Sequence, residues 1–160
     1  MKILKVTLFI LFIALPAVLV LAGQLGLLHG TRPTDLGLKG GLLKPPVKDS
    51  WNVISSHAEQ QPHTDYHVIA PIKYTGDGKQ AMAKLEAIVR AMDGVTVVTK
   101  QNTYLYTEFQ TKILKFIDDV EFVLDEPAGV IQIRSASRLG RKDFGANRTR
   151  LEAIRSKFNT

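Results

Sequence analysis

The sequence predicts an α+β domain: an antiparallel four- to five-stranded meander sheet packed by two helices, preceded by an N-terminal membrane segment. Three observations predict it. Residues 115–138 read as two apolar-rich runs around one turn, the pattern of a β-hairpin. Two stretches, one after Asp77 and one around Asn147, repeat apolar residues at helical spacing. From Val6 to Ala22 every residue except Thr7 is apolar, with Pro16 as the one interruption.

That apolar run lies at the lower edge of what spans a bilayer, and Leu25, Leu27 and Leu28 extend it. Lys2 and Lys5 give it a basic start. Ala22-Gly23 resembles a cleavage region, so residues 1–28 read as an uncleaved signal anchor or a cleaved signal peptide. Gln24 stands where a lipidated cysteine would follow Leu21-Ala22-Gly23, which excludes lipidation. Either way the remainder is expected outside the cytoplasm, held at the membrane through residues 6–28, or secreted if the segment is cleaved. Residues 29–46, broken by Gly30, Gly37, Gly40, Gly41, Pro33, Pro45 and Pro46, read as a linker. Residues 47–160 then form one domain.

Ser50–Ser56 is a short apolar stretch closed by polar residues, and Val68–Ile72 reads as a strand whose Pro71 marks an edge or an end. Asp77 offers an N-cap with Gln80 three residues on, and Gly94 closes a helix that runs to about Met92. Ala81, Leu85, Ile88 and Met92 share its inner face. Strands follow at Val95–Thr99, Tyr104–Phe109, 115–124 and 129–138. With the turn at Asp125-Glu126-Pro127-Ala128, Leu124 faces Gly129, Phe122 faces Ile131, and Asp119 faces Arg134 in a cross-strand salt bridge. Val120 and Phe122 then share a face with Asp118, Ser135 and Ser137. A buried Asp118 needs a partner, either the facing Ser135 or an arginine from elsewhere, unless the strand end is solvated. In the last helix Phe144, Asn147, Leu151, Ile154 and Phe158 repeat on one face, and Asn147 either lies on that face or caps the helix.

The formal charge of +6 is unevenly spread. Residues 131–160 hold eight Lys or Arg against Asp143 and Glu152, while the first 130 residues are balanced. Such a patch suits phosphate, carboxylate or acidic lipid. Nucleic acid fits the charge but not the location, and aromatic interleaving is absent. The chain has no cysteine, which excludes disulfides and thiol chemistry. His57, His63 and His67 match no compact ligand spacing, so no metal or other cofactor is expected.

Three blocks carry a family resemblance: F-I-D-D-V-E-F at 116–122, R-S-A-S-R-L-G at 134–140 and D-F-G-A-N-R-T-R at 143–150. From about Val47 to Phe158 the chain resembles domain of unknown function 1499. The resemblance implies a bacterial or plastid protein, often membrane-associated, and brings no activity with it. It also implies two cysteines at positions where this chain has Val47 and Val53.

The candidate ligand-binding residues are Asp118, Arg134, Ser135, Ser137, Arg138, Asp143, Asn147 and Arg150, with the site expected where the last strand meets the last helix. Arg138, Arg141, Lys142, Arg148 and Arg150 would supply its positive field, and guanidinium groups suit phosphate and carboxylate through paired hydrogen bonds. Asp143 would cap the helix or hold Arg138 and Arg150. The expected function is a non-enzymatic envelope module that binds an anionic or amphipathic ligand, such as a lipid headgroup, or a partner protein. The alternative is a hydrolase or lyase using Asp118, Asp119, Glu121 and Asp143 with Arg138 and Arg150.

Overall fold

The computed structural model describes residues 2–160, with side chains described for residue 7 and from residue 9 onward. The order is helix α1 (Lys2–Gln24), strand β1 (Val53–Ser55), strand β2 (Ile72–Lys73), helix α2 (Gly78–Arg90), strands β3 (Val95–Lys100), β4 (Tyr104–Gln110), β5 (Ile117–Asp125) and β6 (Val130–Ser137), and helix α3 (Ala146–Phe158). One antiparallel sheet runs β1-β6-β5-β4-β3, and β2 also pairs with β6. The β3–β6 meander is the expected one. Two short strands are added along the outer edge of β6: β1 against Arg134–Ala136 and β2 against Val130–Ile131. The strand expected at Val68–Ile72 shrinks to Ile72–Lys73, and Val68 makes only an isolated bridge to Ser55. Pro71, just before the strand, has no amide to donate to a ladder.

Alternation along the strands decides which side chains meet the helices. Leu105, Phe109, Val120, Phe122, Leu124, Ile131 and Ile133 lie on the inner face, where α2 brings Ala81, Met82, Leu85 and Val89 and α3 brings Leu151, Ile154 and Phe158. The Asp77 side chain accepts the Gln80 amide and caps α2 as expected. Gly94 takes φ 72 just past the helix, where a Cβ would collide with the Gln110 carbonyl.

The β5–β6 register differs from the expected one by two residues. Glu121 faces Arg134, Phe122 faces Ile133, Asp118 faces Ser137 and Asp119 faces Ala136. The turn is Glu126–Gly129, closed by the Asp125–Val130 pair. Gly129 supplies the left-handed φ of 64 that the turn needs, and the Asp125 carboxylate accepts the Ala128 amide. A shift of two preserves every side chain's face and changes every partner. Phe122 and Ile131 are therefore both fully buried on one face, as expected, without being directly opposed. The Asp119–Arg134 salt bridge is not formed.

Phe144 also departs from expectation. The helical spacing places it on the packed face of the last helix, yet it is 97 % exposed. The helix begins only at Ala146; Phe144 precedes it with φ 54 and projects outward.

Residues 29–46 are irregular, as a linker would be, but they lie across the outer face of the sheet as a strap. Leu43, part of the strap, is buried; its amide donates to His57 Nδ1 and its carbonyl accepts from the Gln61 side chain. The basic pair Lys2 and Lys5 lies outside the residues whose side chains are described. The expected membrane-spanning segment is not supported: among the described residues no helix is long and apolar enough to cross a membrane. Within α1, Phe9, Ile10, Leu11, Phe12 and Ile13 are exposed in succession.

Candidate functional site

The three polar blocks build two separate networks, one on each face of the sheet. The inner network lies at the end of the hydrophobic core. Asp118 accepts Arg150 Nη2 at 2.5 Å. Arg150 Nη1 donates to Ser135 Oγ at 3.0 Å and to Asn147 Oδ1 at 2.8 Å, and its guanidinium stacks 4.8 Å from the Phe109 ring centre. Asn147 is fully buried and uses its whole amide: Oδ1 also accepts Ser135 Oγ, while Nδ2 donates to Asn52 O and Ser137 Oγ, both at 3.0 Å. The partner that a buried Asp118 requires is thus Arg150, arriving from α3, and Ser135 is not the facing residue. The side-chain polar atoms of Asn147 and the hydroxyls of Ser135 and Ser137 are all paired within this network. Asp118, Ser135, Ser137, Asn147 and Arg150 come together and join the helix to the sheet.

Asp143 stands apart from both networks. Its Oδ1 accepts the Gly145 amide at 3.0 Å and the Tyr66 hydroxyl, and its Oδ2 accepts the Asn147 amide at 2.9 Å. It caps α3 and holds neither Arg138 nor Arg150. Burial alone would raise its pKa; the Tyr66 hydroxyl and the helix amides outweigh that and hold it below the usual carboxylate range.

The outer network lies beneath the strap. Arg138 forks onto Asp119, Nε to Oδ2 at 3.0 Å and Nη2 to Oδ1 at 2.7 Å, and Nη2 also donates to Glu108. Tyr106 Oη donates to Asp119 Oδ1 at 2.5 Å. Arg134 Nη1 donates to Glu121 Oε2 at 3.1 Å. The strap completes these groups: Arg32 Nε reaches Glu108 at 2.5 Å, the Gly37 amide reaches Glu121 Oε1 at 2.6 Å, and the Lys44 carbonyl accepts Arg134 Nε at 3.0 Å. Burial would raise Glu108, but hydrogen bonds from Arg32 and Arg138 hold it below its ordinary range. Burial first, then the adjacent carboxylate, pushes the Tyr104 and Tyr106 phenols up, so both remain donors.

Between strap and sheet a cleft of about 290 Å³ is left, walled by Arg134, Arg138, Arg141, Lys44 and Lys48 with Asp119 as its one acidic residue. Six cations, Arg32, Lys44, Lys48, Arg134, Arg138 and Arg141, meet four carboxylates, Asp35, Glu108, Asp119 and Glu121, in and around it. The side chains of Lys48 and Arg141 have no partner among the described residues, and both are exposed at the cleft. Val47 and Val53 line it too.

The expected five-residue positive field does not assemble. Arg138 points to the outer face and Arg150 to the inner one. Arg148 donates to the Tyr66 and Val68 carbonyls, while Lys142 sits 5.1 Å from the Trp51 ring centre. The carboxylates of the enzymatic alternative also separate: Asp118 is inside, Asp119 and Glu121 are outside, and Asp143 is at the helix start. What the sequence reading missed is the strap with its Arg32, and the β4 side chains Glu108, Tyr104 and Tyr106 beneath it, Tyr104 donating to Glu121. Their visible signals were Leu42-Leu43 inside a Gly/Pro-rich stretch, and Tyr104, Tyr106 and Glu108 alternating along β4.

These features define a strapped α+β sheet domain with a charged network on either face. The family described as protein of unknown function DUF1499 matches residues 44–158, and the chain belongs to it. No curated protein and no solved structure matches the chain.

Proposed function

We propose that this protein is a membrane-held module that takes a small anionic group, a carboxylate or a phosphate, in the cleft between the strap and the outer face of the sheet. The observation that carries this reading is the charge balance of the cleft. Its internal ion pairs consume four cations, and the two left over, Lys48 and Arg141, both face the cleft. Arg134 and Arg138 behind them are nearly buried, and their positions are fixed by Glu121 and Asp119. Guanidiniums held in place by carboxylates lose little freedom when a ligand arrives.

The membrane part of the reading rests on α1. Five successive exposed apolar residues at 100° per residue leave no polar face, so a single protein groove would not cover them. A lipid environment surrounds such a helix on all sides. The basic residues Lys2 and Lys5 ahead of the apolar run support the same reading, with the domain outside the cytoplasm.

Calorimetric titration of the full chain in detergent with inorganic phosphate and with succinate tests the cleft. Binding of at least one of them is expected. Lys48→Ala and Arg141→Ala should each weaken it roughly ten- to a hundredfold, the effect of one charged hydrogen bond. Heat curves that are flat for both anions, or an undiminished affinity in the double variant, would refute the reading.

A further inference from the structure

We infer that the sheet end formed by residues 111–116 and 139–145 is itself a membrane-contacting surface, seated in the interface of an anionic bilayer. The inference rests on the lipid reading of α1 and adds a second point of attachment. The C-terminal end of α1 abuts this part of the domain. Gln24 Nε2 donates to the Ile113 carbonyl at 3.1 Å, and Gly23 lies so close to the Leu114 backbone that a Cβ would collide with it. A Cβ on Gly30 would be 2.8 Å from Arg138 Cβ and 3.1 Å from Leu139 Cγ. Wherever the end of α1 meets the bilayer surface, these loops are beside it.

What the loops present there suits that surface. Ile113 is 64 % exposed, Leu139 and Trp51 are each more than two-fifths exposed, and Phe144 is held almost wholly outside the fold by its left-handed backbone. Apolar and aromatic side chains in this setting match the headgroup region, where rings with one wet edge concentrate. Lys112, Arg141 and Lys142 are exposed among them, and Lys115 is half-buried. The only carboxylate in these loops, Asp143, is committed to the α3 amides and Tyr66. Charge complementarity therefore selects anionic lipid. A cleft of about 370 Å³ opens between the two loops, with Phe116, Ile117, Leu139 and Phe144 among its walls, and adds apolar surface to the same end.

Trp51 is the only tryptophan in the chain and reports on this end directly. The full chain is reconstituted into phosphatidylcholine vesicles with and without phosphatidylglycerol, including lipids brominated near the headgroup. Flotation and Trp51 fluorescence are read together. Expected results are flotation in both compositions, quenching of Trp51 that is stronger in the anionic vesicles, and loss of that quenching in an Ile113→Ser, Phe144→Ser double variant that still floats. Both replaced side chains are exposed, so folding should be kept. A chain that floats with Trp51 unquenched, or equally quenched in the double variant, overturns the docking surface and leaves the α1 reading intact. A chain that stays at the bottom of the gradient overturns both.

Discussion

Replacing Arg150 by methionine removes the guanidinium and keeps most of the aliphatic stem. In the native fold that group neutralises Asp118 at 2.5 Å, donates to Ser135 and Asn147, and stacks on Phe109. Asp118 retains about 5 % of its side-chain surface in contact with solvent, so water does not replace the lost partner. Breaking a buried pair by deleting one member costs about 3–5 kcal/mol, since the remaining charge is stranded. For a domain of this size that corresponds to a fall in Tm of at least about 10 °C. Asp118→Asn in the same background removes the stranded charge and should recover part of the loss, giving a coupling of about 1–3 kcal/mol between the two sites. Arg141→Ala, at an exposed side chain with no partner among the described residues, should stay within about 0.5 kcal/mol of the parent. Urea unfolding of the parent, the single variants Arg150→Met, Asp118→Asn and Arg141→Ala, and the Arg150→Met, Asp118→Asn double variant in one detergent measures all of this. A single Arg150→Met variant with the parent midpoint, or a double variant no better than the single, would show that Arg150 does not hold the inner network together.

Two further outcomes follow from the core and from the strap. Phe122 is fully buried, so Phe122→Ala should cost about 3–5 kcal/mol in the same unfolding assay, and a loss below about 1 kcal/mol would mean that the site is not a packed core position. His57 Nδ1 accepts the Leu43 amide, which only the unprotonated nitrogen can do, and burial lowers its pKa despite the opposing charge of Asp125. The unfolded chain therefore takes up the proton first as pH falls through about 6.5. The stabilisation is complete above that value and is lost as pH drops toward the lower folded pKa. Amide exchange at Leu43, corrected for the intrinsic rate, should accelerate at mildly acidic pH and should do so much less in His57→Gln; equal acceleration in both chains would remove His57 as the cause.

The faces of the sheet were legible in the sequence, and the partners were not. Alternation along 117–125 and 130–137 assigns Asp118, Val120 and Phe122 to one side and Asp119 and Glu121 to the other, whichever even register is chosen. Choosing among registers requires the turn. Proline and two acids drew the turn toward Asp125–Ala128, whereas the left-handed requirement at Gly129 fixes it one residue later. That single step moves Arg134 from Asp119 to Glu121 and frees Asp119 for Arg138. Helix α2 was readable because cap, apolar stripe and closing glycine agree. The start of α3 was not, because Phe144 fits the helical spacing yet precedes the helix. Contacts between segments far apart in the chain, Arg32 with Glu108 or Gly37 with Glu121, leave no periodic trace at all.

The strap explains why charges occur on a sheet face that would otherwise be open to water. Exposed ion pairs contribute little, about 0–1 kcal/mol each. Covered by residues 29–46, Arg134 and Arg138 have nearly all of their side-chain surface removed from solvent, and their pairing to Glu121 and Asp119 becomes an obligation of the fold. The same cover lowers the effective dielectric around the adjoining cleft, so an anion entering beside Lys48 and Arg141 feels a stronger attraction than the same two side chains would exert on an open surface. The Gly37 amide and Lys44 carbonyl tie the strap to Glu121 and Arg134, so the strap and the cleft form as one structure. The inner network serves another end: the donors and acceptors of Asn147 meet partners within the fold, and it joins the helix to the sheet. The D-D-V-E-F and R-S-A-S-R blocks therefore serve two purposes at alternate positions, with Asp118, Ser135 and Ser137 binding α3 to the sheet while Asp119, Glu121, Arg134 and Arg138 build the charged floor beneath the strap.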